Sequence, residues 1–439
     1  MWLLWPVTPI QSATTVTQIA AGYEHSWFLK SDGSLWAMGA NNYGQLANGT
    51  VISDYAQTNR PVEILSNGIV TIATGGFQDL LIKTDKSLWV AGGNFGNQLG
   101  DGTSHNTNQL EQIMTNVIAV AGGYYHSLFI DGYGNLWAMG ANFDGQFGNG
   151  TLNGSSVPLQ VGPTDVKAVA AGNSHSLYLT SDGTLWGMGY NEQGELGIPL
   201  FHYVSTPRQI ASDVKALAAG DYYSLFIKND GSLWGMGDNV FGQLGDNTFN
   251  ATNLPVLIVP NNVMAIACGA DHSIFIKTDG SLWAMGNNSE GQLGDGSTNL
   301  FVNQPEQIVA SNVVAIAAGG NHSLFITTDG NLWGMGQNGY GELGDGFTDT
   351  ICPVPEQIFP MPQPVMTSSV SSQNNLQIQA NCQFAGTFYL WSGTNLAQPL
   401  NQWTRILTNT ISSRGTTNYS VILANGSNVT QCYYILQSQ

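Results

Sequence analysis

Histidine stands directly before serine five times, at His25-Ser26, His126-Ser127, His175-Ser176, His272-Ser273 and His322-Ser323. Two chemistries use such residues. A ring of imidazoles can hold a metal ion, and a His beside a Ser can serve as base and nucleophile. Neither suits this spacing. The histidines recur about fifty residues apart, with Gln78 and Tyr223 in the same place in two further copies. Each therefore belongs to its own structural unit, whereas zinc ligands converge within about 2.0–2.1 Å of one ion. Adjacent residues of a strand point to opposite faces, so no dyad forms within one strand. The expected role is a buried His hydrogen-bonded within its own sheet. The loop Gly291-Gln-Leu-Gly-Asp-Gly296 lacks the lysine of a phosphate loop and the spaced carboxylates of a calcium loop, and its glycines serve turn geometry. His105 and His202 fall in long loops without a fixed carboxylate partner and read as surface residues. No catalytic residue, metal ligand or cofactor is assigned.

The units themselves are internal repeats. Leu-Trp recurs at Leu35-Trp36, Leu88-Trp89, Leu136-Trp137, Leu185-Trp186, Leu233-Trp234, Leu282-Trp283 and Leu332-Trp333. In the sixth unit the order is Val263–Gly269, Asp271–Ile276, Asp279-Gly280, Ser281–Gly286, Gly291–Gly296 and Gln304–Ile308. Asp-Gly between short apolar runs signals a hairpin, because a primed turn requires positive φ. Three strands and a short fourth at the Pro-x-x-Ile segment follow. Trp283 and Met285 share one strand face, Leu282 and Ala284 the other. Sheets apolar on both faces must be sandwiched, and each Trp is expected to pack against the next unit. The expected fold is all-β: a seven-bladed propeller of four-stranded blades, followed by a small β-sandwich.

The 439 residues divide into an N-terminal segment (1–15), the propeller (16–359), a Pro-rich linker (360–366) and a C-terminal module (367–439). Pro6–Ile10 resembles Val354–Ile358, so one of the two is expected to close the ring and the other to be displaced. Acidic residues outnumber basic ones 29 to 11, a formal charge of −18. That excludes nucleic acid as the partner, since phosphate recognition draws on Lys and Arg. No apolar run reaches the ~20 residues of a membrane span. Met1–Trp5 has no positive flank and meets Pro6 too soon for a signal core, so either a leader has been removed or the start is misplaced. Sparse lysine with abundant Asn and Thr points to an extracellular or cell-surface protein. Cys268, in a strand, and Cys352, in a loop, are expected as free thiols; Cys382 and Cys432 are the pair available for a disulfide.

The pattern Ala-Ala-Gly-x-x-His-Ser, Asp-Gly-x-Leu-Trp-x-Met-Gly, Asn-x-x-Gly-Gln-Leu-Gly-Asp-Gly resembles the repeat of the regulator of chromosome condensation family. The resemblance covers all seven repeats and implies the propeller. It leaves function open, because relatives include an exchange factor for the Ran GTPase, an ultraviolet-B photoreceptor, ubiquitin ligases and a secreted bacterial β-lactamase inhibitor. The photoreceptor's Trp after the first-strand Gly is replaced here by Tyr23, Gly76, Tyr124, Asn173, Asp221, Ala270 and Gly320. There is no basic chromatin-binding arm and no ligase domain, so the secreted bacterial members are nearest in kind. Ser392–Leu396 and Gln402-Trp403 resemble the immunoglobulin-like module of exported bacterial proteins, which implies a spacer or sorting element in preference to a carbohydrate-binding domain as its role.

A surface remains. The turn after each first-strand Gly and the loop after each Met-Gly emerge on one side of the ring, and there the repeat diversifies. The expected partner-binding face comprises Tyr23, Tyr43, Phe77, Phe95, Tyr124, Tyr125, Phe143, Asp144, Tyr190, Tyr222, Phe241, Asp271 and Tyr340. Rigid rings supply contact area and acids set polarity. The leading expectation is an exported, monomeric, non-enzymatic propeller that binds a protein. A carbohydrate-binding or carbohydrate-active propeller is the alternative, and guanine-nucleotide exchange, by family analogy, the third.

Overall fold

The computed structural model describes residues 14–360 apart from 51–56, 200–201, 298 and 349–350, together with the backbone of strands between Leu3 and Ser438 outside that span. Seven four-stranded antiparallel sheets follow one another in chain order, from Val16–Ala21 at the start of the first to Ile351–Phe359 at the end of the seventh. Blade 6 consists of Val263–Cys268, His272–Lys277, Leu282–Asn287 and Phe301–Val309. The fourth strand is longer than its Pro-x-x-Ile core, and its start pairs Phe301 with Asn287. Because it forms the perimeter edge, a proline lacking N–H does little harm there and discourages pairing with other chains; Pro305 stands there in blade 6 and Leu110 in blade 2.

The second and third strands are almost wholly buried. Leu225, Ile227 and Leu233 of blade 5 share one core with Phe275, Trp283 and Met285 of blade 6. The Trp-bearing face thus meets the preceding blade, not the next. In six blades the indole also stacks on an aromatic of its own second strand, as Trp283 does on Phe275 at 6.2 Å and 10°, whereas Trp89 of blade 2 stands opposite Leu81. Its Nε1 donates to Ser281 Oγ (2.8 Å), which in turn donates to Asp279 Oδ1 of the hairpin (2.6 Å).

The His slot joins blades instead of bracing one from within. His126 Nε2 meets Ser176 Oγ of the following blade at 2.9 Å, and His175–Ser224 and His272–Ser323 repeat that distance. The expectation of a bond within one sheet fails because the imidazole points out of the sheet plane into the interface between blades. The acceptor serines Ser224, Ser323 and Ser26 each pass their own proton to a backbone carbonyl, as Ser224 does to Glu195 O at 2.8 Å. The imidazole nitrogen that faces it therefore donates. With both residues fully buried and the hydroxyl committed to a carbonyl, these pairs are structural and not nucleophilic.

The same belt closes the ring. His322 of blade 7 reaches Ser26 of blade 1 at 2.8 Å, and Val16 N donates to Gly330 O at 2.9 Å. Blade 7 takes its fourth strand from Ile351–Phe359 next to its own third, so no strand is exchanged. Pro6–Ile10 lies outside the described residues. In blade 2, Asp79 occupies the serine position and meets His25 Nε2 at 2.7 Å, both groups fully buried.

By contact density, Thr14–Gly344 with Thr350–Ile358 forms one unit, and Met1–Ala13, Asp345–Asp349 and Phe359–Gln439 another. In the second, Leu3–Leu4 pairs in parallel with Tyr433–Ser438, next to Gly386–Gly393 and Thr404–Ile411; Val365–Val370, Leu376–Cys382 and Thr417–Leu423 form a three-stranded sheet. Cys432 of the expected disulfide lies outside the described residues. Cys268 is a free thiol, and the Cys352 thiol donates to Val354 O at 3.2 Å. Cys352 belongs to the last strand of blade 7 and not to a loop, because the fourth strand begins before its proline segment.

Candidate partner-binding face

Two loops per blade build one side of the ring. The first is a tight turn in which the first-strand Gly donates to the His-slot carbonyl, as Gly269 N does to His272 O at 2.8 Å. The second is tied by its own motif. Asn41 Oδ1 accepts from Leu46 N (3.0 Å) and Gln45 Oε1 from Tyr43 N (2.9 Å), and every blade repeats both contacts. Gly294 of this motif needs both its φ of +75° and its bare Cα, since a Cβ would lie 2.3 Å from Met335 Sδ of blade 7. With the loop backbone secured by Asn, Gln and Gly, the positions between them are free to vary.

Six of the expected residues join in one continuous aromatic cluster over blades 1 to 3. Tyr43 meets Phe95 at 4.8 Å and Phe77 at 5.1 Å; Phe77 meets Tyr124 at 5.2 Å and Tyr23 at 6.3 Å; Tyr124 meets Tyr125 at 4.6 Å. Most of these contacts are edge-to-face, the arrangement that ring quadrupoles favour. Phe95 remains 54% exposed and Tyr125 38%. Tyr340 lies within electrostatic reach of Tyr43 and Glu24. On the far side Tyr190 packs on Tyr222 at 6.0 Å, and Phe241 packs on Phe301 at 5.2 Å. Phe143, 75% exposed, makes no ring contact among the described residues, and Asp144 is half-buried beside it.

On blades 5 and 6, Asp271 lies within electrostatic reach of Asp221 and Asp238. Burial pushes the Asp221 carboxyl up to about 6; burial, then Asp221 and Asp238, push Asp271 up to about 7. Neither forms an ion pair among the described residues. No Lys or Arg occurs in any of the loops on this side. Several lysines serve the opposite side instead: Lys30, Lys83 and Lys277 each sit 3.6 Å over the ring of Trp36, Trp89 or Trp283.

At the centre, the ends of the first strands surround an axial cavity of about 150 Å³ whose lining includes Tyr23, Tyr124, Asp221 and Cys268. Asp221 is its one carboxylate. Cys268, its thiol pushed up to about 12 by burial, is no nucleophile. A larger cavity of about 590 Å³ lies against Asn191, Glu192, His202 and Asn253. There His202 Nδ1 meets Glu192 Oε1 at 2.9 Å, so this exposed histidine does have a carboxylate partner, supplied by a residue ten positions earlier. Among the described residues no group of three His, Cys, Asp or Glu could hold a metal ion.

Sequence reasoning missed Phe301, Glu195 and Glu342. Phe301 opens the fourth strand ahead of its Pro-x-x-Ile segment, where the sequence carries no strand signal. Glu195 and Glu342 stand where the other repeats carry Gln, and that substitution was the available signal. Both are fully buried, with carboxyls pushed up to about 7 chiefly by desolvation and one oxygen unpartnered.

The family model of the RCC1-like domain matches residues 159–391. The chain belongs to the RCC1-like domain family. Models of the regulator of chromosome condensation (RCC1) repeat match within residues 16–45 and 117–146, and 32–80 and 133–179. This RCC1-like propeller is similar in fold to human WBSCR16, with TM-score 0.64 at 22% identity over 72% of this chain and 88% of that one. Prp20p of Saccharomyces cerevisiae, studied for its binding to Gsp1p and histones, gives 0.63 at 22% over 72% and 84%. Yeast RCC1 (Prp20) bound to Kap60 gives 0.66 at 20% over 84% and 91%. An X-linked retinitis pigmentosa GTPase regulator homolog of Caenorhabditis elegans is 39% identical over 92 residues, which is 21% of this chain and 6% of that relative.

Proposed function

We propose that the chain is a non-enzymatic, exported binding propeller that recognises a protein through the aromatic and acidic loop face. One observation carries the reading: a continuous cluster of six rings over blades 1 to 3 stands on the same side as uncompensated acids of blades 5 and 6, in loops without a single Lys or Arg. Exposed aromatics are interface anchors, and one-signed polarity selects a basic partner and speeds encounter. The named interactions of Prp20p with Gsp1p and histones are consistent with a propeller used for protein binding. Carbohydrate hydrolysis gains no support from the axial cavity, whose single carboxylate lacks the facing partner a glycosidase pair needs. An immunoglobulin-like C-terminal module would serve as spacer or sorting element. The test is capture from extracellular protein by wild type, by Phe95→Ala/Tyr125→Ala/Tyr222→Ala, and by Tyr133→Ala on the opposite side, where Tyr133 is 79% exposed. The expected result is a partner held by wild type and Tyr133→Ala but lost by the triple variant. Equal capture by all three, or binding of a glycan panel alone, overturns the reading.

A further inference from the structure

The position after each first-strand Gly reads Tyr23, Gly76, Tyr124, Asn173, Asp221, Ala270 and Gly320 around the axis. Its side chains lean on the preceding blade. A Cβ on Gly76 would lie 3.0 Å from Tyr124 Cδ2, and one on Gly320 would lie 3.2 Å from Tyr23 Cγ. Asp221 is hydrogen-bonded to Asn173 of the blade before it. The two glycines are therefore the spaces into which the tyrosine rings fold. Tyr23 and Tyr124 meet edge-to-face at 5.6 Å, and both feel the charge of Asp221 across the mouth. The result is a cavity of about 150 Å³ with two phenol rings on one part of its rim and a carboxylate on another.

Resting on the reading of this face as a protein-binding surface, we infer that the axial mouth receives one lysine side chain of the partner, its ammonium placed between Tyr23, Tyr124 and Asp221. Three features match that occupant. The rings offer their π electrons to a cation. Among the described residues no cation pairs with Asp221, and burial holds its carboxyl up to about 6. The floor is backbone: Gly172 O and Gly319 O already accept one inter-blade hydrogen bond each, from Tyr124 N and Ala270 N, and each keeps a second lone pair. A compact ammonium with three rotatable donors suits such a rounded, carbonyl-lined funnel better than a flat guanidinium fork.

The probes are the capped peptides acetyl-Gly-Gly-Lys-Gly-Gly-amide, its Nε-acetyl-lysine form and its arginine form, titrated against the full chain by calorimetry and saturation-transfer NMR. The lysine peptide is expected to bind, the acetylated form not to, and the arginine form to bind more weakly. Asp221→Asn is expected to weaken the lysine peptide about ten-fold. Gly76→Val, which displaces the Tyr124 ring without touching the acid, is expected to do the same and covers the case in which the Asn variant misfolds. Equal binding of lysine and acetyl-lysine, tighter binding of arginine, or indifference to both substitutions overturns the assignment. If Asp221→Asn binds with wild-type affinity a protein that Phe95→Ala/Tyr125→Ala/Tyr222→Ala loses, the lysine assignment fails while the binding face stands.

Discussion

Glu195 and Glu342 show how one repeat position can acquire pH sensitivity. Five blades fill it with Gln, whose amide is neutral at every pH; two use a buried acid that must keep its proton. Their folded-state value of about 7 lies above the ordinary 4.5. Their contribution is therefore fully present below about pH 4.5 and is lost as pH rises through 7. Glu195→Gln is expected to raise stability by about 2 kcal/mol at pH 8 and to change little at pH 4.5, as denaturant melts at the two pH values would show. The histidines behave in the opposite sense. Burial lowers His126 to about 4 and His175, His272 and His322 to about 3, so the stability they contribute is fully present above about pH 6.5 and is lost as pH falls from there through those values. The chain already contains the remedy in Gln78, whose Nε2 reaches Gly123 O at 2.8 Å and His126 O at 3.1 Å. His175→Gln is expected to shift the acid-unfolding midpoint downward while leaving the melting temperature at pH 7.5 within a few degrees of wild type. An unchanged acid midpoint would mean that the belt does not govern acid stability.

At the level of the blade, most of the structure was legible from the repeat. Asp-Gly placed the hairpins, Leu-Trp the third strand, and the two apolar faces required sandwiching. What a single repeat does not contain is the register between blades. A strand pattern shows that His272 and Ser273 point oppositely, but not that His272 meets Ser323 of the next sheet, because that contact depends on blade rotation about the axis. The same gap reversed the expected direction of Trp packing. The extent of the perimeter strand was likewise invisible, since an edge strand half in solvent carries little alternation, and Phe301 was lost with it. The loop motif yields a prediction here. Gly294→Ala combines a positive φ with a Cβ 2.3 Å from Met335 Sδ, and is expected to cost about 2–3 kcal/mol in a denaturant melt. A variant as stable as wild type would show that the blade 6–blade 7 contact yields freely.

Across the whole molecule the ring is closed by the same contacts that join its other blades. His322–Ser26 is one more member of the belt, and blade 7 is complete in itself. A fragment spanning 14–360 is therefore expected to unfold in one cooperative transition near the propeller's melting temperature in the full chain; loss of cooperativity would mean that closure needs the N-terminal segment. The loop face was legible as a set of diversified positions, and the structure joins six of them in one cluster. The joining of six rings over blades 1–3, and the closeness of Asp271 to Asp221 and Asp238 on blades 5–6 on a side without Lys or Arg, were not legible, because they depend on which blades become neighbours. That polarity predicts binding that weakens as salt rises from 50 to 300 mM. The central claim is that one face of the ring makes the contact, and hydrogen exchange of the propeller with and without its captured partner tests it most directly. Protection is expected in the turns that follow the first-strand glycines and in the loops that follow Met-Gly, strongest around Tyr43, Phe77, Phe95 and Tyr125. Protection confined to the Asp-Gly hairpins or the perimeter strands would contradict it.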